Sequence, residues 1–238
     1  RERELLEQLR KSVADGFRGF ELFFQPIVRV GQDVPFMAES LLRFKTTDGE
    51  MVSPVEFIPI LEESGLIIPV GKWLIDRALS MCAECQKTQP EFHISVNLSY
   101  VQILKSDVCE EIEHWIEFYN LKPESLMVEL TESGYVDDNS PAVKRLWDRL
   151  REYGVMIALD DFGTGYSNFQ LISSMVPNIV KLDRSFTVKA LQNTFEHQLM
   201  DLVQSGKLKS EDRIEVLDKI AMLEREGRFD EDLSLIHI

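Results

Sequence analysis

Two adjacent aspartates, Asp160 and Asp161, end the apolar stretch VMIALDD, which is predicted to be a buried strand. A glycine-threonine-glycine turn follows at 163–165 and lets the chain turn tightly. Bare charges are costly to bury, so a bound cation would explain the pair. Taken alone, the motif favours a simpler hypothesis, an acidic turn into a helix that begins at Ser167.

Four further predicted strands carry a side-chain oxygen or an ammonium group at or near the same end. These residues are Glu39, Asn97, Glu129 with Glu132, and Lys181. Hard oxygen ligands without His or Cys are typical of Mg²⁺ or Mn²⁺ sites. The histidines are scattered along the chain, and we interpret His93 as a strand residue and His114 as a helix-surface residue.

Strands and helices alternate along the sequence, which predicts parallel pairing with helical crossovers. Predicted strands cover 22–30, 36–44, 92–99, 126–133, 155–162 and 178–183, and predicted helices cover 53–65, 70–87, 106–120, 140–154 and 185–204. The strands are nearly continuous in apolar residues, as expected when both faces of a sheet are covered. The pattern fits a (β/α) barrel or a doubly wound sheet, and both bind ligands at the carboxyl ends of their strands.

The composition limits the choice of partners and compartment. With 41 acidic against 26 basic residues the net charge is -15, which argues against a nucleic-acid polymer or an anionic membrane as partner. No apolar run is long enough to span a membrane, and we expect a cytoplasmic protein. Three cysteines do not make a disulfide framework. Cys82 and Cys85 could form a redox or metal pair, but their setting favours two ordinary positions in an amphipathic helix.

Six motifs resemble the EAL-type cyclic-di-GMP phosphodiesterase domain, in its order and spacing. They are AESLLRF, SPVEFIPILEESGLI, ISVNLSYVQI, VELTES, IALDDFGTGYSNF and VKLDRSF, and the match runs from about Leu22 to about Leu191. The resemblance implies an α/β fold, a modified TIM (β/α)8 barrel with an antiparallel first strand. It also implies a two-metal hydrolysis of cyclic di-GMP to linear pGpG in bacterial signalling.

The resemblance assigns an expected role to ten residues, carried over motif by motif. It implies two divalent cations, Mg²⁺ or Mn²⁺, held by Glu39, Asn97, Glu129, Asp160 and Asp161, with Asp160 bridging. Lys181 resembles the lysine that positions or deprotonates the attacking water, and Glu132 the glutamate that fixes the loop after Asp161. The expected substrate contacts are Gln25, Arg43 and Asp183, with Arg43 facing phosphate.

The sequence departs from the family pattern at two places. Ser40 stands where the family has alanine, a change that we expect to be tolerated because Ser40 points away from Glu39's side of the strand. We expect residues 205–238 to form a charged helical tail, either a divergent ending or a foreign one, where the family has two more strands. One of those strands carries a further metal-binding Glu. The chain as given is therefore expected neither to close a barrel nor to hydrolyse cyclic di-GMP efficiently.

The predicted organisation is an N-terminal helix or linker (1–21), an incomplete EAL-type domain (22–204) and the tail (205–238). Two alternatives to a phosphodiesterase stay open: a receptor that binds cyclic di-GMP without cutting it, and an interaction domain whose tail helix binds a partner. The sequence also leaves open a homodimer and an upstream sensor or GGDEF-type domain.

Overall fold

The computed structural model describes residues 1–29, 33–131, 141–162 and 177–182. Within them lie the strands of one seven-stranded sheet. The strands are β1 Phe20–Val28, β2 Pro35–Lys45, β3 Met51–Val52, β4 His93–Asn97, β5 Leu126–Thr131, β6 Met156–Phe162 and β7 Ile179–Leu182. The predicted helix 185–204 and the predicted tail 205–238 lie outside the described residues.

The sheet is mixed, with one antiparallel strand at its start. β1 pairs with β2 in antiparallel fashion, and β2, β4, β5, β6 and β7 then follow one another in parallel. The short strand β3 pairs with the end of β2. Parallel strands laid down in chain order are typical of a barrel, whereas a doubly wound sheet reverses its order at a switch point. The antiparallel first strand was predicted and is confirmed, and in the described part of the chain β1 and β7 are not paired with each other.

Helices cover one face of this sheet. They are α1 Glu2–Ala14, α2 Pro54–Ser64, α3 Ile67–Gln86, α4 Tyr100–Lys105, α5 Val108–Phe118 and α6 Pro141–Tyr153. The helix predicted at 53–65 is confirmed in detail: Ser53 is its N-cap, Pro54 its first residue, and Gly65 ends it in the left-handed conformation (φ 75°). None of the described helices, of which α3 is the longest at 20 residues, is both long enough and apolar enough to cross a bilayer.

Sequence reasoning missed β3 and α4. The helix α4 had a readable signal, because Ser99 and Gln102 form a capping box at its start. The first segment, expected to be a helix or a linker, forms the helix α1, and Leu9 of this helix is completely buried in the main core. The domain boundary at residue 22 stays a prediction.

Alternation along the strands sends side chains to two different environments. On the outer face Val96, Val128, Leu159 and Val180 join the large core beneath the helices. Buried side chains on the other face form a small apolar layer of Met37, Met127 and Ala158, with Ile179 packed against it. Two residues further along β2, β5, β6 and β7, this inner face carries polar groups instead.

Cys82, Cys85 and the two described histidines lie on the elements predicted for them. Cys82 and Cys85 are both in α3, and their thiols are free. Burial raises the pKa of the Cys82 thiol to about 12, so it is unreactive at neutral pH. The Nδ1 atom of His93 in β4 lies 2.8 Å from the Glu124 carbonyl oxygen, and His114 is exposed on α5.

Candidate functional site

Three carboxylates converge on one ammonium at the inner face of the sheet. Lys181 Nζ donates to Glu129 Oε2 at 2.6 Å, to Glu39 Oε2 at 3.1 Å and to Asp160 Oδ2 at 3.4 Å. All four residues are at most 4% exposed. The strand register explains the convergence, because parallel strands bring their carboxyl ends to the same rim.

Asn97 joins this cluster from β4. Its Nδ2 donates to Glu39 Oε1 at 3.0 Å, and its Cα is paired with that of Glu129 on β5. Four of the residues predicted as metal ligands, Glu39, Asn97, Glu129 and Asp160, are thus brought together by four different strands.

The three carboxylates could hold a divalent cation. Each offers one oxygen such that the three oxygens lie within 4.8 Å of one another. Glu129 Oε1 is fully buried and has no hydrogen-bond partner among the described residues. A buried carboxylate oxygen that no protein donor satisfies is well suited to bind a cation. Oxygen donors with a neighbouring side-chain amide suit Mg²⁺ or Mn²⁺, so the residues fit such an ion.

A bulge in β6 accounts for the two adjacent aspartates. Between Leu159↔Val180 and Phe162↔Leu182, β6 has two residues where β7 has only one. The extra residue lets Asp160 and Asp161 lie at the rim together, although consecutive side chains of a regular strand point to opposite faces. Asp161 adopts φ 55°, and its N–H donates to Asp160 Oδ1 at 2.9 Å. Both aspartates line the same cavity.

This cavity, of about 630 Å³, opens beside the cluster. Polar residues at its rim include Glu39, Asn97, Asp160 and Asp161, and α2, α3 and α4 supply an apolar wall. A concave space with a few convergent polar groups is the usual form of a small-molecule site.

Comparison with known proteins decides the family. Residues 6–205 match the EAL domain. The chain belongs to the EAL domain family. The family resemblance and the fold class predicted from the sequence are thereby confirmed.

Two relatives of this EAL domain have names that include cyclic di-GMP phosphodiesterase. The chain is 33% identical over 188 residues to the probable cyclic di-GMP phosphodiesterase PdeB of Escherichia coli K12, covering 78% of this chain and 36% of that protein. It is 34% identical over 169 residues to the cyclic di-GMP phosphodiesterase PA2567 of Pseudomonas aeruginosa, covering 71% of this chain and 29% of that protein. The chain therefore spans about a third of the length of these two relatives.

A solved structure supports the same fold. The EAL domain superimposes on the PaMucR phosphodiesterase, solved as a c-di-GMP complex, with a TM-score of 0.76 and 27% identity, covering 94% of this chain and 91% of that one.

The EAL domain brings two of the three predicted substrate contacts to the rim region. Gln25 on β1 is paired directly with Glu39 on β2. Arg43 lines the cavity, donates to the Leu42 carbonyl oxygen at 2.9 Å, and holds its guanidinium carbon 5.6 Å from the Phe23 ring centroid. The third contact, Asp183, and the predicted loop residue Glu132 lie outside the described residues.

Burial and charge act in opposite directions on the pKa values in this cluster. Burial raises the pKa of Glu129 to about 7 against the opposing charge of Lys181, and Glu39 and Asp160 add to the rise. Burial alone lowers the pKa of Lys181, but the charges of Glu129, Asp160 and Glu39 outweigh it, so the pKa is raised. The ammonium form of Lys181 is therefore favoured, and it offsets part of the negative charge.

Sequence reasoning missed polar residues of this site, among them Glu62. Glu62, near the end of α2, lines the cavity and accepts a hydrogen bond from Ser99 Oγ at 2.6 Å. The capping-box pattern at Ser99 could have drawn attention to that serine, but no sequence signal linked it to Glu62.

Proposed function

We propose that this EAL domain hydrolyses one phosphodiester bond of cyclic di-GMP to give linear pGpG, with two divalent cations. One observation carries the proposal: Glu39, Glu129 and Asp160 converge from three strands beside a cavity of about 630 Å³. The family membership and the names of the relatives support the choice of substrate.

Each protein residue has a proposed task. Glu39, Asn97, Glu129 and Asp160 would hold one cation, and Asp161 would hold the second together with Asp160. When bound, such a pair of ions acidifies a water and stabilises the charge on the attacking and leaving oxygens. The bulge at Asp160 and Asp161 supports the bridging arrangement, because it presents both carboxylates at the rim.

Lys181 is proposed to position the attacking water or to take its proton. In the structure Nζ donates hydrogen bonds to three carboxylates. A protonated amine has no lone pair with which to act as a base, so this arrangement favours the positioning role.

Recognition of the substrate is proposed to use Gln25, Arg43 and Asp183. A guanidinium is well suited to a phosphate, because its planar fork can donate two parallel hydrogen bonds. The position of Arg43 on the cavity wall, four residues along β2 from Glu39, supports a contact with one phosphate of cyclic di-GMP.

The test measures binding and cleavage separately. Cyclic di-GMP binding is followed by calorimetry in Ca²⁺, and pGpG formation by chromatography in Mg²⁺ or Mn²⁺, with chelator as the control. The chain is compared with a version whose residues 205–238 are replaced by the two-strand ending of a complete EAL phosphodiesterase, so that a failure to fold is not mistaken for a failure of chemistry. Metal-dependent pGpG formation supports the proposal. Binding without pGpG in both versions would overturn it in favour of the binding-only alternative.

A further inference from the structure

The turn that follows β4 is held by bonds from three other parts of the fold. The Leu98 N–H donates to the Glu129 carbonyl oxygen at 3.0 Å. The Ser99 N–H donates to Gln102 Oε1 at 3.1 Å, and the Ser99 hydroxyl donates to Glu62 Oε1 at 2.6 Å. Asn97, whose amide contacts Glu39, directly precedes this turn.

Of the three bonds to the turn, the bond from Ser99 to Glu62 joins the residues that are furthest apart in sequence. Glu62 belongs to the last turn of α2, before Gly65 ends that helix. The same serine oxygen accepts the N–H of Val101 at 3.1 Å, as the N-cap of α4. Ser99 can cap α4 without Glu62. Capping therefore does not explain why the Glu62 carboxylate lies 2.6 Å from the Ser99 hydroxyl.

The helix α4 is also held against α3. Gln102 is 4% exposed and packs against Gly71 of α3 so closely that a Cβ atom at 71 would lie 1.8 Å from Gln102 Nε2. With α4 held against α3 through Gln102, the hydroxyl of Ser99 joins this unit to α2. Two helices thus fix this unit, α2 through Ser99 and α3 through Gln102.

We propose that Glu62 is a positioning residue: by holding Ser99 it fixes the turn at Leu98–Ser99 and so directs the amide of the preceding Asn97 at Glu39. The part of this inference that concerns metal affinity rests on the proposed function. Groups that orient a metal ligand typically contribute 10- to 100-fold in metal affinity without touching the ion.

Amide hydrogen exchange tests the first half of the proposal and needs no metal. Glu62→Ala removes the acceptor, Glu62→Gln keeps an acceptor oxygen, and Glu63→Ala removes an exposed neighbouring carboxylate as the control. Glu62→Ala should raise the exchange rates at Leu98 and Ser99 by about fivefold, as expected for one lost hydrogen bond, and leave α3 amides unchanged. Glu62→Gln should restore most of the protection. The proposal is overturned if the exchange rates at Leu98 and Ser99 in Glu62→Ala equal those in Glu63→Ala. It is also overturned if exchange rates rise throughout the protein.

Mn²⁺ titration calorimetry tests the second half. Glu62→Ala should weaken Mn²⁺ binding roughly 10- to 100-fold, and Glu63→Ala should leave it unchanged. In an Asn97→Ala background, Glu62→Ala should cause little further loss, because the two residues act through one contact. Independent, additive losses would show that Glu62 does not act through Asn97 and would overturn that step. A wild-type chain that binds no Mn²⁺ counts against the proposed function, and the exchange data then decide alone whether Glu62 holds the turn.

Discussion

Glu129 Oε2 lies 2.6 Å from Lys181 Nζ, although the two residues are 52 positions apart in the chain. They belong to β5 and β7, with β6 between them. Their contact spans the inner face of the sheet and brings the ammonium within reach of Glu39 and Asp160 as well. A single lysine thus balances part of a buried acidic cluster that would otherwise strongly oppose folding without a cation.

In the version that carries the two-strand ending of a complete EAL phosphodiesterase, Asp160→Asn should abolish both metal binding and hydrolysis. The change keeps the size of the side chain but removes the charge proposed to bridge two cations. We expect the Mn²⁺ dissociation constant to rise by more than about 100-fold, beyond the loss typical of residues that only orient a ligand. Asp148→Asn, on the exposed side of α6, is the matched control. An Asp160→Asn protein that still produced pGpG would falsify the metal assignment.

Lys181→Met should destabilise the metal-free protein strongly. Removal of one partner from a buried ionic cluster costs about 3–5 kcal/mol in the free energy of unfolding. The control is Lys72→Met, which breaks a 2.9 Å ion pair with Glu111 at a lysine that is 53% exposed and should cost less than about 1 kcal/mol. Urea unfolding measures both. Added Mn²⁺ should restore part of the loss in Lys181→Met only; equal losses in the two variants would contradict the prediction.

The same Lys181→Met variant should lose turnover more than affinity. If Lys181 acts on the water, its loss should lower kcat by roughly 100-fold or more. Cyclic di-GMP should still bind within about threefold of the wild-type affinity, measured by calorimetry in Ca²⁺ on protein shown to be folded. If Lys181→Met instead lost affinity for cyclic di-GMP but kept the wild-type kcat, Lys181 would be assigned to substrate recognition.

Ser40→Ala should stabilise the protein or leave it unchanged. The Ser40 side chain is 1% exposed, and its hydroxyl has no hydrogen-bond partner among the residues that the structure describes. Removing such a hydroxyl should raise the free energy of unfolding by about 1 kcal/mol. Ser125→Ala is the opposite control, because that buried hydroxyl accepts from Gln86 Nε2 at 2.9 Å and its loss should destabilise. A clear loss of stability in Ser40→Ala would mean that the hydroxyl has an ordered partner such as water.

Asp107 should contribute a small stabilisation that disappears in acid. Its carboxylate accepts the Glu110 N–H at the start of α5 and contacts Arg149, and these bonds lower its pKa below the ordinary 3.8. Since the folded-state pKa is the lower one, the stabilisation is fully present above about pH 4 and is lost as the pH falls through the lowered pKa.

The measurement for Asp107 is a difference between melting curves. Asp107→Asn should melt below wild type at pH 6, by an amount worth less than about 1 kcal/mol because Asp107 is largely exposed. The gap should shrink at pH 3. The control Asp48→Asn, in an exposed turn, should show no such pattern. A melting difference for Asp107→Asn that widened in acid would contradict the prediction.

Local patterns in the sequence determined most of the helices and strands. The cap and stop residues of α2 and the apolar runs of β2, β5 and β6 are local signals, so they could be read without knowing the fold. The family motifs, which also lie within short stretches, gave Glu39, Asn97, Glu129, Asp160 and Lys181 as one candidate set. The structure brings these residues together from separate strands, and their roles stay a prediction.

The tertiary structure alone decided how these groups meet. The bulge that brings Asp160 and Asp161 to the same rim depends on the register between β6 and β7, which a single strand's sequence does not contain. The three hydrogen bonds of Lys181 and the bond between Glu62 and Ser99 join residues from 21 to 142 positions apart. Such contacts depend on how strands pair and helices pack, and local sequence does not encode the distances between elements that only the folded chain brings together.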